Sequence, residues 1–239
     1  DSIDPPERIL FDVKRTRLGA LTAIGTCEVH LLNLKVAEEI LERVYHESQG
    51  TELEKYLISY CTGLAVIKSK LGCQEQAGFY IKATLKKLSD GLINVYSRGY
   101  TYYAIGCAYR FLGNFELSLK MYKEALSFAR TTSFYQLEGR ALYGLSDLYL
   151  KQGKVEESLS SILSSIQLLE NIGAEFHLAE AYHQLGLVYL AQKNVKSSVD
   201  SFKASIHLFQ RMKAPNQVEK VEKVMDDLTN SFVEYSPPA

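Results

Sequence analysis

The sequence lacks an excess of charge of either sign. Twenty-seven Lys and Arg offset 28 Asp and Glu, for a formal net charge of −1. That excludes the broad positive field with which nucleic-acid binders attract phosphate backbones. Basic residues cluster only at Lys14, Arg15 and Arg17, a spacing that reads as a charged helix face. Long apolar runs are missing too. None approaches the roughly 18 residues that a membrane-spanning helix needs, and no signal-peptide pattern opens the chain. Cysteine is scarce. Cys27, Cys61, Cys73 and Cys107 form no C-x-x-C pair, so a zinc ribbon, a redox motif and a disulfide framework are all excluded as organising principles. They read as reduced cysteines of a cytoplasmic protein, with Cys27 and Cys61 at packed positions. Prolines are few, and Pro5-Pro6 and Pro237-Pro238 mark linker-like ends. The chain opens at Asp1 rather than methionine, which reads as a piece of a longer or processed protein.

What is present is ordinary globular material, with 46% apolar and 23% charged residues in 239 positions, enough for a sizeable core. Its organisation emerges on self-comparison. Gly106 in "YAIGCAYRFLGN" aligns with Ser146 in "YGLSDLYLKQGK" and Gly186 in "HQLGLVYLAQKN", at steps of 40. Going backwards, Ala65 and Gly25 continue the column. Five copies result, at approximately 13–50, 53–90, 94–131, 134–171 and 174–211.

The columns carry a physical pattern. A large apolar column (Ile24, Leu64, Ile105, Leu145, Leu185) precedes the small one (Gly25, Ala65, Gly106, Ser146, Gly186). Two residues after it comes another packed column: Cys27, Ile67, Ala108, Leu148 and Val188. Tyr109, Tyr149 and Tyr189 follow in the last three copies, where the first two have Glu28 and Lys68. Offsets of three and four put these residues on one helical face. A turn then follows, at Gly72, Gly113-Asn114, Gly153 and Asn194. The second helix has a small column (Ala37, Ala77, Ser118, Ser158, Ser198) and a large one (Leu41, Ile81, Tyr122, Ile162, Phe202). A further column holds Val44, Thr84, Ala125, Ser165 and Ser205. Small residues on both helices let paired backbones approach, and large ones fill the gaps beside them. A last amphipathic helix, at about 215–232, carries Val218, Val221, Met225, Leu228 and Phe232 on one stripe and reads as a cap. At the other end, Asp4-Pro5 reads as N-cap and first residue of a helix running to about Leu32.

A two-helix repeat with this column order resembles the tetratricopeptide repeat, best in "YYAIGCAYRFLGNFELSLKMYKEAL" and "YHQLGLVYLAQKNVKSSVDSFKASI". The period of 40 departs from the usual 34, the proline that often closes a repeat is missing, and serine replaces alanine in the small column of the last three second helices. The 40-residue form is similar to arrays in kinesin light chains, peptide-sensing bacterial regulators, maltose-type transcriptional activators and bacterial signalling ATPases and kinases. "IHLFQRMKAPNQVEKVEKVMDDL" looks most like the last group. The resemblance implies an all-α, right-handed superhelix (an α-solenoid) of five helical hairpins plus a C-terminal capping helix, in a single domain over 1–239.

In that family the first helices line the concave surface. The resemblance therefore assigns ligand contact to first-helix positions that do not pack. In copy three these are Tyr100, Tyr103, Cys107 and Arg110. In copy four they are Arg140, Tyr143, Asp147 and Leu150, and in copy five Glu180, His183, Leu187 and Leu190. Tyr103, Arg110, Arg140 and Tyr143 would supply phenols and guanidinium groups suited to hot spots and to carboxylates. The alternative is that Arg140 is neutralised by Asp147 or a neighbouring glutamate. The expected job is a protein- or peptide-binding scaffold or adaptor. The second reading is an effector-sensing regulatory domain that contacts other domains of the same parent chain.

Catalysis is not expected. His177, Glu180 and His183 drift around a helix and are not H-E-x-x-H. Cys27 and His30 are helix neighbours, but a packed Cys27 is no nucleophile. "GRALYGLS" at 139–146 has no Gly-Lys-Ser/Thr ending and falls inside a helix, so it is no phosphate loop. The serines of "ESLSSILSSIQ" read as small packing residues bonded back to their own helix. No metal, cofactor, nucleic acid or membrane is expected to bind.

Overall fold

Paired columns at helical spacing require helices in antiparallel pairs, and these are what form. The computed structural model describes residues 5–55, 58–90 and 95–233, with side chains within 7–53, 59–90 and 97–227. Asp4, Pro237 and Pro238 lie outside the described residues. The chain divides into two compact units, Asp1–Met121 and Tyr122–Ala239. The first holds α1 (Pro5–His30), α2 (Leu34–Ser48), a 3-10 turn (Glu52–Lys55), α3 (Ile58–Lys70), α4 (Gln74–Ser89) and α5 (Val95–Phe111). The unit boundary falls within α6 (Phe115–Thr131). The second unit continues with α7 (Tyr135–Lys151), α8 (Val155–Asn171), α9 (Glu175–Ala191), α10 (Val195–Arg211) and α11 (Pro215–Val233). Every described residue that has regular structure is helical. Pro5 and Pro6 open α1 rather than preceding it, as suits a first helical turn whose N–H groups have no partner.

Each hairpin linker turns through one residue with positive φ. Gly113 (φ 76°) donates its N–H to Arg110 O, and Asn114 donates to Tyr109 O at 2.9 Å. This closes the end of α5 in the manner of a Schellman cap. Asn114 Oδ1 then accepts the Leu117 N–H at the start of α6, and Asn194 Oδ1 accepts that of Ser197 at the start of α10. In the linker before α10 the left-handed residue is Lys193 (φ 60°), and before α2 it is Leu32 (φ 64°). Glycine is thus favoured there but not obligatory.

The small columns exist because side chains of the partner helix occupy the space. A Cβ on Gly25 would stand 2.7 Å from Leu41 Cδ2. In the second unit, Gly186 lies under the Phe202 ring, and a Cβ on Gly144 would meet Tyr122 at 2.7 Å. "GRALYGLS" is therefore a stretch of α7 whose glycines admit α8 and the second half of α6. Leu41, Tyr122, Ile162 and Phe202 are fully buried. At this separation the serines do more than fill space. Ser118 Oγ donates to Gly106 O, Ser158 to Ser146 O and Ser198 to Gly186 O, each at 2.8 Å. A second rung joins Ser165 to Gly139 O and Ser205 to Ala179 O. Ser161 and Ser164 do bond back to their own helix, to Glu157 O and Ser160 O. The serine run is therefore split between back-bonds on the open face and cross-helix bonds in the core.

Two expected positions differ. Cys27 is exposed, not packed. It lies on α1, where no neighbouring helix among the described residues covers that face. Lys68, which interrupts the tyrosine column, is itself buried and bridges Glu38 at 2.6 Å and Glu42 at 2.7 Å on α2. Burial alone would lower its pKa, but hydrogen bonds to the two carboxylates outweigh this and raise it.

Because the carbonyl acceptors keep their intrahelical bonds, Ser165→Ala and Ser205→Ala should each cost about 1 kcal/mol. Thermal unfolding should show Tm lower by about 2–4 °C for each. Ser164→Ala, at an exposed back-bonded site, should leave Tm unchanged.

Candidate functional site

The residues expected to line a groove fall in both units. In the first, α5 holds Tyr103 buried at 8% exposure, with Cys107 and Arg110 half-buried. The Arg110 guanidinium lies 4.1 Å from the centre of the Phe111 ring, and Lys70 Nζ from α3 lies 5.3 Å from the same ring. Two cations on one aromatic ring concentrate positive charge at the C-terminal ends of α3 and α5.

In the second unit, α7 carries Arg140, Tyr143 and Asp147, all half-buried, and α9 carries Glu180, also half-buried, and His183. The structure brings Tyr143, Glu180 and His183 together in one crevice with Phe209 of α10 and Gln217, Lys220 and Val221 of α11. The crevice has no interior space for a water-sized molecule. It can take a side chain laid against it, not an enclosed small ligand. Arg140 and Asp147 lie outside it.

Glu180 Oε2 is 3.1 Å from His177 Nδ1. The His183 ring is tilted against Phe202, with ring centroids 5.7 Å apart. Among the described residues no group of three or more His, Cys, Asp or Glu side chains could hold a metal ion, and no helix is long and apolar enough to cross a membrane.

His183 is 7% exposed and its Nε2 has no hydrogen-bond partner among the described residues. Burial pushes its pKa down to about 3, Lys220 adds to the fall and Glu180 opposes it. The floor of the crevice is therefore a neutral imidazole between a carboxylate and an ammonium group.

The crevice also takes in Gln217 and Lys220, which a reading of α11 as a cap does not single out. The signal was present. Arg140, Glu180 and Lys220 stand 40 residues apart, so α11 continues the first-helix column as an unfinished sixth copy. Val221 is buried on its packed face, whereas the side chains of Leu228 and Phe232 lie outside the described residues.

Models described as the tetratricopeptide repeat match residues 137–211 and 100–132. No curated protein matches the sequence. Among the solved structures that share the fold are the following three. PlcR of Bacillus thuringiensis, solved with the peptide PapR7 and DNA, superposes with a TM-score of 0.72 at 16% identity, covering 86% of this chain and 74% of that one. The signal transduction ATPase PH0952 of Pyrococcus horikoshii, which has a tetratricopeptide repeat sensor, gives 0.63 at 19% identity. That match covers 91% of this chain and 35% of the ATPase. The apo form of RapI gives 0.59 at 12% identity, covering 82% and 72%. At these identities the likeness is one of fold.

The folded chain holds His183 neutral, while the unfolded chain protonates it near pH 6.5. The unfolded state therefore binds the extra proton. The stability that neutral His183 contributes is complete above about pH 6.5 and is lost as pH falls toward about 3. Across that window His183→Leu should flatten the fall of unfolding free energy by about 1.4 kcal/mol per pH unit, measured by denaturant titration at stepped pH.

Proposed function

Because the chain belongs to the tetratricopeptide repeat family, we propose that it is a peptide-binding module that holds a protein segment against its first helices. The observation that carries this reading is the column Arg140, Glu180 and Lys220. Three consecutive first helices of the second unit present alternating charge at equivalent positions, with Tyr143 and the crevice beside them. The core columns lie on other faces of the same helices, so the fold does not dictate which side chain stands at these half-buried and exposed positions. A complementary ligand is a segment with acidic, basic and acidic side chains in that order, with an aromatic or aliphatic residue against Tyr143. Charge alternation of this kind gives orientation and selectivity more than raw affinity. The module works in a cytoplasmic setting as a scaffold, sensor or adaptor and carries no catalytic chemistry of its own.

A second reading, a sensor domain within a larger signalling or transcription protein, is favoured by one observation. PH0952 has its repeats as the sensor of an ATPase, and PlcR was solved with both a peptide and DNA. In that setting the ligand would still occupy the first helices, and the attached domains would read the outcome.

Selection of a random peptide library on the purified chain tests the proposal. Enriched peptides should alternate acidic and basic residues. Their affinity should fall about tenfold, or 1.4 kcal/mol, on Arg140→Ala and on Tyr143→Ala, but not on Lys203→Ala, an exposed change on a second helix. Enrichment that survives both first-helix changes would sink the reading.

A further inference from the structure

Positions that form the core in later copies are open to solvent in the first. Ile24 is 48% exposed, whereas Leu64, Ile105, Leu145 and Leu185 are buried. Cys27 is exposed where Ile67, Ala108, Leu148 and Val188 are fully buried. The open face runs along α1 as Ile9, Val13, Thr16, Ala20, Ala23 and Cys27. All six are exposed and none is charged. Their steps alternate between four and three, the heptad spacing of a coiled-coil seam. Thr16 donates its hydroxyl to Asp12 O, so its methyl group is left to the seam. At 1.5 Å per residue the seam is about 27 Å long.

We propose that this seam is a homodimer interface in which α1 packs antiparallel against α1 of a second copy. Its side chains grade from large to small along the helix. With a two-fold axis level with Leu18, Ile9 faces Cys27, Val13 faces Ala23 and Thr16 faces Ala20. Each layer then pairs a larger side chain with a smaller one, and the helices stay equidistant. Parallel pairing would set Ile9 on Ile9 and Ala23 on Ala23, leaving a tapering gap that close packing disfavours. The same axis brings Arg8 level with Glu28 of the other copy, twice by symmetry. Arg17, the charge nearest the axis, is already neutralised by its ion pair with Glu47 of α2. A preceding hairpin is a poorer fit. α1 has 26 residues against 17 in α5, with the surplus at its N-terminal end. That surplus extends α1 about 13 Å past the level at which an aligned first helix begins, and places Ile9 about 7 Å and Val13 about 1.5 Å beyond it.

Sedimentation velocity of the full chain over a concentration series should show reversible dimerisation. Val13→Glu combined with Ala20→Glu should give a monomer that keeps the helical circular dichroism of the parent, since both sites are exposed, and whose Tm no longer rises with concentration. Oxidising Ile9→Cys in a Cys73→Ser background should join the thiol introduced at position 9 of one chain to Cys27 of the other, as located by peptide mass spectrometry. Chains already held with these layers facing meet the geometry a disulfide requires. A monomer at every concentration, a dimer indifferent to the glutamates, or a bridge between the two copies of Cys27 in place of the expected one would each overturn the proposal.

Discussion

The separation of the paired helices governs the rest of the structure. A second-helix ring or leucine enters a notch that a missing or minimal side chain leaves on the first helix, as Phe202 does over Gly186 and Leu41 over Gly25. Helix propensity alone would disfavour those glycines by up to about 1 kcal/mol each. Filling the notch instead would force the partner off its rotamer or push the backbones apart. Once the backbones are close, a serine hydroxyl on one helix reaches a carbonyl on the other. Ser118, Ser158 and Ser198 make the same bond at the same place. Ala37 and Ala77 occupy that position in the first two hairpins and make no such bond, so the rung refines a distance that packing has already set.

Repetition makes every hairpin face an interface, which leaves the two ends to be dealt with separately. At the C-terminal end α11 follows the last complete hairpin. It buries Gln217 and Val221, with Ala214 just before it, and turns Glu219, Glu222 and Lys223 to solvent. Beside Gln217, Lys220 and Val221, His183 is out of reach of water, and burial favours its neutral form. At the N-terminal end α1 turns an uncharged stripe outward. The column that buries Leu64 and Ile67 further along the chain leaves Ile24 and Cys27 open. Among the described residues the same sequence pattern thus leaves one face covered, beside α11, and one face open, on α1.

The fold was legible because packing columns recur with fixed offsets, so each of the five copies supports the others. Residue burial within the candidate site was less so. Register gives the direction of a side chain around its helix, but not the bulk of the neighbour it meets. Tyr103 and His183 share first-helix register positions with half-exposed Tyr143, and both are buried. Lys68 shows the same limit from the other side. A lysine in a tyrosine column looks like a lost contact, and only the placement of Glu38 and Glu42 on one face of α2 reveals what replaces it. Cys27 departs from its column because column averaging assumes a neighbour on each side, and among the described residues none covers that face of α1.

These constraints separate residues that make the repeat from residues that vary on it. The small column accepts only Gly, Ala or Ser, since anything larger meets a partner side chain. Six residues earlier on the same helices stand Tyr100, Arg140, Glu180 and, on α11, Lys220. A phenol, a guanidinium, a carboxylate and an ammonium group occupy equivalent positions, which no packing rule would tolerate if those positions were core. Their diversity is therefore cheap for the fold. Chemical differences concentrated where the fold is indifferent are what selective contact with a ligand requires. The crevice at α9 and α11 fits the same logic. Burial keeps the His183 ring neutral there, while Glu180 and Lys220 bring both signs of charge to the lining, and this is what the proposed charge-ordered ligand would require.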